Sequence, residues 1–246
     1  MKDKIAFLVP TRGRPSNVGA LALAWDEMIG AGFADLIFIV DGDHPEEHDY
    51  VRKSNGHQVY FQPWRGLSAT LNTQALHFAE RYQYVGFMGD DHRPRTKYFD
   101  QKLIIDLDYA GPYAVLYGPD GQPGWTAANQ DSYAVDELTS HAPMTWWAMD
   151  SRLIRLLGQM VPWPLSHTCV DDYVWQLGYQ AHKLWYSPSV LMEHLHPLWG
   201  KGSMDESYER SSEHNNRLAD HKKWETYQEV QLPRDVRLIR SALNKT

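Results

Sequence analysis

Three continuous apolar runs, Ile5 to Val9, Leu36 to Val40 and Tyr84 to Met88, constrain this chain more than any other feature. Each has the length of a strand buried on both faces, and helix-like segments separate them. Ser16 or Asn17 is placed to cap a helix carrying Leu21, Leu23, Trp25 and Met28, which stops near Gly30 and Gly32. Ser68 is placed to cap a second, with Leu71, Ala75, Leu76 and Phe78 on it. His57 to Phe61 alternates after an Asn-Gly turn and reads as a further strand. Strands alternating with helices predict a mostly parallel α/β sheet covered on both faces.

The pattern changes after Gly89-Asp90-Asp91. A helix is predicted over Tyr98 to Tyr109, a strand over Ala114 to Tyr117, and a Gly/Pro/Asn-rich loop containing Trp125 from Pro119 to about Asn129. Thr145 to Met149 reads as a strand, Ser151 to Gln159 as a serine-capped helix, and Val170 to Leu177 as a helix ending at Gly178. Leu184 to Tyr186 and Val190 to His194 are short extended pieces. We expect one domain over residues 1–204, in two halves (about 1–95 and about 96–204), followed by a polar, helix-prone tail over 205–246. That tail could pack on the domain or form a homodimer contact.

The 246 residues, 43% hydrophobic and 22% charged, suffice for one large core. A net charge of -7 gives no support for broad, sequence-independent nucleic-acid binding, and Lys222, Lys223, Arg234, Arg237, Arg240 and Lys245 leave room for a local basic patch in the tail. A solvated helix face is the simpler reading of those charges. The single cysteine, Cys169, rules out an internal disulfide and a cysteine-cluster zinc site, so any metal falls to carboxylates and histidines. The first apolar run is too short for a signal peptide or a membrane span, and a cytoplasmic protein is expected.

Ligands of an open parallel sheet sit at the carboxyl ends of its strands. There this chain carries Pro10-Thr11-Arg12-Gly13-Arg14-Pro15, Asp41-Gly42-Asp43 and Gly89-Asp90-Asp91-His92. Arginines and a helix start offer cations and N–H groups to a diphosphate, and the carboxylates opposite suit a divalent ion. Each element alone also fits a turn, a cap or a solvated loop. Their order is the stronger argument.

In that order the chain resembles the GT-A glycosyltransferases, family 2 in particular. Val9-Pro10-Thr11-Arg12, Val40-Asp41-Gly42, the Gly66 to Asn72 helix start and Phe87-Met88-Gly89-Asp90-Asp91 match the family's donor-side motifs. Thr145-Trp146-Trp147-Ala148-Met149, Val170-Asp171-Asp172 through Gly178 and Glu193-His194-Leu195-His196 match its later ones. The resemblance covers roughly residues 5–197 and not the tail. It departs from the family in the glycine opening the usual Asp-x-Asp metal motif and in Asp171 standing for the usual glutamate.

The resemblance implies a GT-A fold and a hexosyltransferase-like enzyme using a nucleotide-sugar, UDP-linked by analogy. Pro10, Thr11, Arg12, Arg14, Asp41, Arg65, Ser68, Asn72 and Asp90 would meet the donor. Asp91 with His194 or His196 would hold Mn²⁺ or Mg²⁺. Asp172, or Asp171 second, would be the general base of an inverting transfer. Trp125, Trp146 and Trp147 are candidates for a sugar or acceptor platform, although neighbouring strand residues point to opposite faces, so at least one of the pair belongs to the core. The acceptor is left open among a glycan, a protein side chain, a small molecule and a modified nucleobase. Two other readings stand beside this one: a sugar nucleotidyltransferase of similar sheet order, and a non-catalytic carbohydrate- or nucleotide-binding module.

Overall fold

The computed structural model describes residues 2–42, 47–121, 144–206, 208–209 and 213–245. Its strands are β1 (Lys2–Thr11), β2 (Ala34–Asp41), β3 (Gln58–Gln62), β4 (Tyr82–Phe87), β5 (His92–Pro94), β6 (Val115–Tyr117), β7 (Trp147–Asp150), β8 (Leu184–Tyr186) and β9 (Met192–His194). Its helices are α1 (Pro15–Met28), α2 (Glu47–Lys53), α3 (Leu67–Ala79), α4 (Phe99–Ala110), α5 (Ser151–Leu157), α6 (Val170–Gln180) and α7 (His214–Leu243). Seven strands form one sheet in the order β3, β2, β1, β4, β7, β6, β8. β1 runs parallel to both β2 and β4, whereas β7 lies antiparallel between β4 and β6. β5 and β9 form a separate antiparallel pair in which His92 faces His194.

The apolar runs form central strands because both of their faces are covered. Ala6, Leu8, Ile37 and Ile39 join one core with α3, α5, α6 and α7, while Ile5, Phe7, Val9, Leu36, Phe38 and Val40 join the other with α1 and α4. Alternate residues of one strand thus feed opposite layers. β1 has its parallel neighbours β2 and β4 on opposite sides, so connections diverge at its carboxyl end and leave a crevice there.

Several helix starts differ from expectation. α1 begins at Pro15 and α3 at Leu67, preceded by Arg14 and Gly66, neither of which caps with its side chain. Proline at the first turn loses nothing, since its missing N–H would be an orphan there. Gly66 takes φ +83°, a conformation that a serine cap would not adopt. α5 is capped by Asp150, which accepts from the Arg152 N–H at 2.8 Å, and not by Ser151.

Within the 205–246 segment, α7 packs on the domain. Trp224, Leu232, Val236 and Ile239 of α7 are buried in the same core as α3, α5 and α6. Each such side chain contributes roughly 1.5–3 kcal/mol when fully buried. Beside them Asp235 accepts from Tyr173 at 3.0 Å and Tyr227 at 3.2 Å, which satisfies a buried carboxyl whose pKa burial pushes up. Among the described residues, no helix is long and apolar enough to cross a membrane.

Candidate metal and nucleotide-sugar site

The β1 loop and the β4–β5 loop meet at the crevice. Gly13 takes φ +66°, which turns the chain at once from β1 into α1 and brings Arg14 back over the sheet edge. Arg14 Nη1 lies 3.1 Å from Asp90 Oδ1 and 3.8 Å from Asp91 Oδ2. Thr11 Oγ1 donates to Asp90 Oδ2 at 2.6 Å, and Asn17 reaches Asp90 Oδ1 at 3.4 Å. Asp90, expected to meet the donor, is therefore buried and turned toward its own chain, where it fixes Thr11 and Arg14. Burial, and then the charge of Asp91, push its carboxyl up to about 6 against the pull of Arg14 and Thr11.

Asp91 points the other way. His92 Nδ1 lies 3.1 Å from its Oδ1 and His194 Nε2 lies 3.4 Å from its Oδ2. Burial opposes ionisation of Asp91, but the two imidazoles outweigh it and hold the carboxyl well below the ordinary carboxylate range. Ligand atoms of Asp91, His92 and His194 all lie within 4.8 Å of one another. The two rings stack 4.3 Å apart because β5–β9 pairing sets them side by side. His196 stays outside that triad; its ring packs against His194 at 5.1 Å and Trp199 at 5.1 Å.

This donor set fits a divalent cation. His92 Nε2 lies 3.1 Å from Thr145 Oγ1, which in turn lies 3.1 Å from Asp120 Oδ2. Two proton arrangements satisfy that chain. With Nδ1–H on Asp91, Thr145 gives its proton to Nε2; with a cation beside Asp91, Nε2–H turns to Thr145, whose proton goes to Asp120, and Nδ1 offers a lone pair. A carboxylate behind a ligating imidazole is the outer partner that such sites use. Among the described residues, His194 Nδ1 is meanwhile buried without a hydrogen-bond partner.

The glycine at the head of the metal motif has a steric reason. A Cβ at Gly89 would stand 2.5 Å from Asp91 Oδ1 and 3.2 Å from His92 Nδ1, displacing two of the three candidate ligands. Behind the loop, buried Arg93 donates to the carbonyls of Asp90 at 2.8 Å and His92 at 2.6 Å.

At the neighbouring strand ends, Arg12 Nη1 lies 3.6 Å from Asp41 Oδ2 and its guanidinium sits 5.8 Å over the Trp64 ring. Trp64 is 54% exposed, a flat apolar face beside the expected nucleoside contact Asp41.

No protein-family model matches the sequence, and no curated protein matches it either. Solved structures do. Glucosyl-3-phosphoglycerate synthase from Mycobacterium tuberculosis, crystallised with Mn²⁺, UDP and phosphoglyceric acid, superposes with TM-score 0.56 at 13% identity over 79% of this chain and 72% of that one. A mannosyltransferase from Pyrobaculum calidifontis, in complex with GDP-Man and Mn²⁺, gives 0.56 at 12% identity over 98% and 74%. S. aureus TarS gives 0.57 at 11% identity over 78% and 37%. The chain has the GT-A fold.

Within that GT-A fold the remaining expected residues scatter. Asn72 is fully buried and spends its amide on the chain, accepting from the N–H of Met160 and Val161 at 2.8 and 3.0 Å and donating to the Val161 carbonyl at 2.8 Å. Ser68 is also fully buried, whereas Arg65 is exposed. Trp146 and Trp147 are both core residues, Trp147 against Phe87 at 4.4 Å, so neither offers a sugar platform. Pro10 is partly buried at the end of β1. Trp125 and Asp43 lie outside the described residues.

Asp171 and Asp172 open α6, with Asp171 partly buried and Asp172 exposed. Burial, followed by the charge of Asp172, pushes the Asp171 carboxyl up to about 6. The preceding loop meets the start of α3, where its Ser166 carbonyl accepts from the Leu67 N–H at 2.9 Å. Among the described residues, those around Asp91, Arg12 and Arg14 that the sequence pattern did not single out include His92, Trp64, Asp205 and Tyr208, whose hydroxyl donates to Asp91 Oδ2. His92 was open to notice as the residue directly after Asp91. Tyr208, 117 positions further on, carries no local signal.

Proposed function

We propose that this chain is a metal-assisted glycosyltransferase that moves a hexose from a nucleoside-diphosphate sugar, UDP-linked by preference, to an acceptor hydroxyl with inversion. The observation that carries this reading is the convergence of Asp91, His92 and His194 ligand atoms within 4.8 Å beside Arg14, at the crevice of a GT-A sheet. Asp91, His92 and His194 would hold Mn²⁺ or Mg²⁺, which supplies Lewis-acid neutralisation of the diphosphate leaving group.

The chain's own groups do the rest. Arg14, held at the sheet edge through Nη1 by Asp90, is the cation that would clamp the phosphate oxygens. Asp41 and Arg12 flank the nucleoside, with the Trp64 face available to a base. Asp172, exposed at the first turn of α6, takes the acceptor proton, and partly buried Asp171 supports it from the inner side. A base opposite the leaving group means single displacement.

A thermal-shift panel of UDP-, GDP-, ADP- and TDP-sugars, with and without Mn²⁺, tests the reading. One donor at 100 times its Kd should stabilise the fold by about 2.7 kcal/mol, and only with the metal present. Turnover should then release nucleoside diphosphate. Stabilisation by none of them, or release of pyrophosphate, would remove the proposal in favour of a binding module or a nucleotidyltransferase.

A further inference from the structure

Arg14 faces more negative charge than one guanidinium can keep while it also clamps a diphosphate. Its Nη1 serves Asp90, with Asp91 close by, and its Nη2 lies 2.5 Å from Asp205 Oδ1. Burial opposes its charge, but the hydrogen bond of Asp205 and the three carboxylates raise its pKa above the ordinary value. The same C-terminal segment makes a second contact. The Tyr208 hydroxyl donates to Asp91 Oδ2, and the Arg14 guanidinium lies 4.6 Å over the Tyr208 ring. Asp205 Oδ1 also accepts from the Tyr208 N–H at 3.1 Å, which ties the two residues together.

The three carboxylates around Arg14 are not equivalent. Asp90 is buried and bonded by Thr11, and Asp91 is held between two imidazoles. The Asp205 side chain is 38% exposed. A carboxylate oxygen and a phosphate oxygen make the same charge-assisted bond to a guanidinium N–H and repel each other, so a phosphate competes with Asp205 for the Nη2 N–H that Asp205 holds. The Tyr208 hydroxyl likewise uses an Asp91 lone pair that a cation would need.

We propose that Asp205 and Tyr208 are residues of the donor site, in which the Asp205 carboxylate holds the place of a donor phosphate on Arg14 and Tyr208 holds that of the cation on Asp91. Nucleoside diphosphate and metal then bind by exchange with this segment. The inference rests on the donor-site reading above. Apparent affinity is the intrinsic affinity reduced by the fraction of molecules whose site is free, so an occupant present in nine molecules of ten weakens binding about tenfold.

Calorimetric titration of the full chain with UDP and with GDP, each at saturating Mn²⁺, tests it in wild type, Asp205→Asn and Asp205→Ala. Both variants should bind the diphosphate roughly five- to tenfold more tightly. Tyr208→Phe titrated with Mn²⁺ alone should bind the metal more tightly by a few-fold. Wild-type binding with unchanged or weaker affinity in both Asp205 variants overturns the exchange and leaves the donor site standing. Failure of every protein to bind either diphosphate or Mn²⁺ removes the donor site itself, and this inference with it.

Discussion

The two sides of the crevice are built differently. On the proposed donor side, at the ends of β1 and β4, charges are wired to one another: Arg14 to three carboxylates, Asp90 to Thr11, and Asp91 to two histidines and a tyrosine. On the other side, Trp163, His167 and Asp172 stand exposed in and after the loop between α5 and α6. That loop is secured from behind through its backbone. The contrast suits one ligand of fixed charge, the diphosphate, and one of undetermined shape, the acceptor. Preorganised charge stabilises a developing anion without reorganising during reaction. An open loop leaves room for a large acceptor.

Asp91→Asn is the strongest way to break the donor side. It keeps the shape but removes the charge that two imidazoles and Tyr208 share. We expect no measurable Mn²⁺ binding by calorimetry and a fall in sugar transfer of roughly 10³-fold, equivalent to about 4 kcal/mol of leaving-group stabilisation. Retained Mn²⁺ affinity would place the metal elsewhere and dissolve the contrast.

How far the sequence revealed this arrangement follows the same division. β1, β2 and β4 were legible because continuous apolar runs have few other uses, and Thr11, Arg12, Arg14, Asp41 and Asp91 could be named as candidates from their strand-end positions, with their roles resting on the resemblance. Local pattern could not say which side chains turn inward. Asp90 and Asp91 are neighbours, yet one fastens Arg14 and the other faces the histidines. Asn72 sits where a ligand contact is expected, but its amide serves the Met160–Val161 backbone, a partner 88 residues away. The place of the C-terminal segment was illegible for the same reason, since Asp205, Tyr208 and Asp220 reach Arg14, Asp91 and the Ser166–Thr168 backbone across long sequence separations.

The proposed acceptor side divides between the two aspartates. Asp172→Asn should lower transfer by roughly 10²-fold or more with folding intact, the loss expected for a general base. Asp171→Asn should cost less and act through pH. The folded chain holds the Asp171 proton up to about pH 6, whereas an unfolded chain releases it near the ordinary aspartate value of 3.8. Stability therefore falls as pH rises across that window. The Asn variant should lose this decline in melting temperature, together with any inflection near pH 6 in the rate. A full loss of turnover in Asp171→Asn, with Asp172→Asn active, would exchange their roles.

The smallest expected effect tests what holds the open side in place. Asp220 of α7 is buried and accepts from the backbone N–H groups of Ser166, His167 and Thr168 at 3.0, 2.8 and 3.0 Å, and from the Ser166 hydroxyl. Burial alone would raise its carboxyl, but these donors outweigh it and bring the pKa down to about 2. Its stabilisation is thus complete above the unfolded aspartate range and is lost as pH falls toward 2. The Ser166 carbonyl in turn accepts from the Leu67 N–H at 2.9 Å, so α7, the loop and the start of α3 form one chain of contacts ending two residues before α6. Asp220→Asn keeps the volume and removes the charge, at a cost of about 1.5–3 kcal/mol in stability. If the helix only braces the fold, melting temperature falls and kinetics at low temperature are unchanged. If it positions the loop that leads to Asp172, kcat drops about tenfold while the donor KM stays constant, because Arg14 and Asp91 are untouched. A matching rise in donor KM would show that the two sides are coupled through the α3 contact, and the division drawn between them would have to be given up.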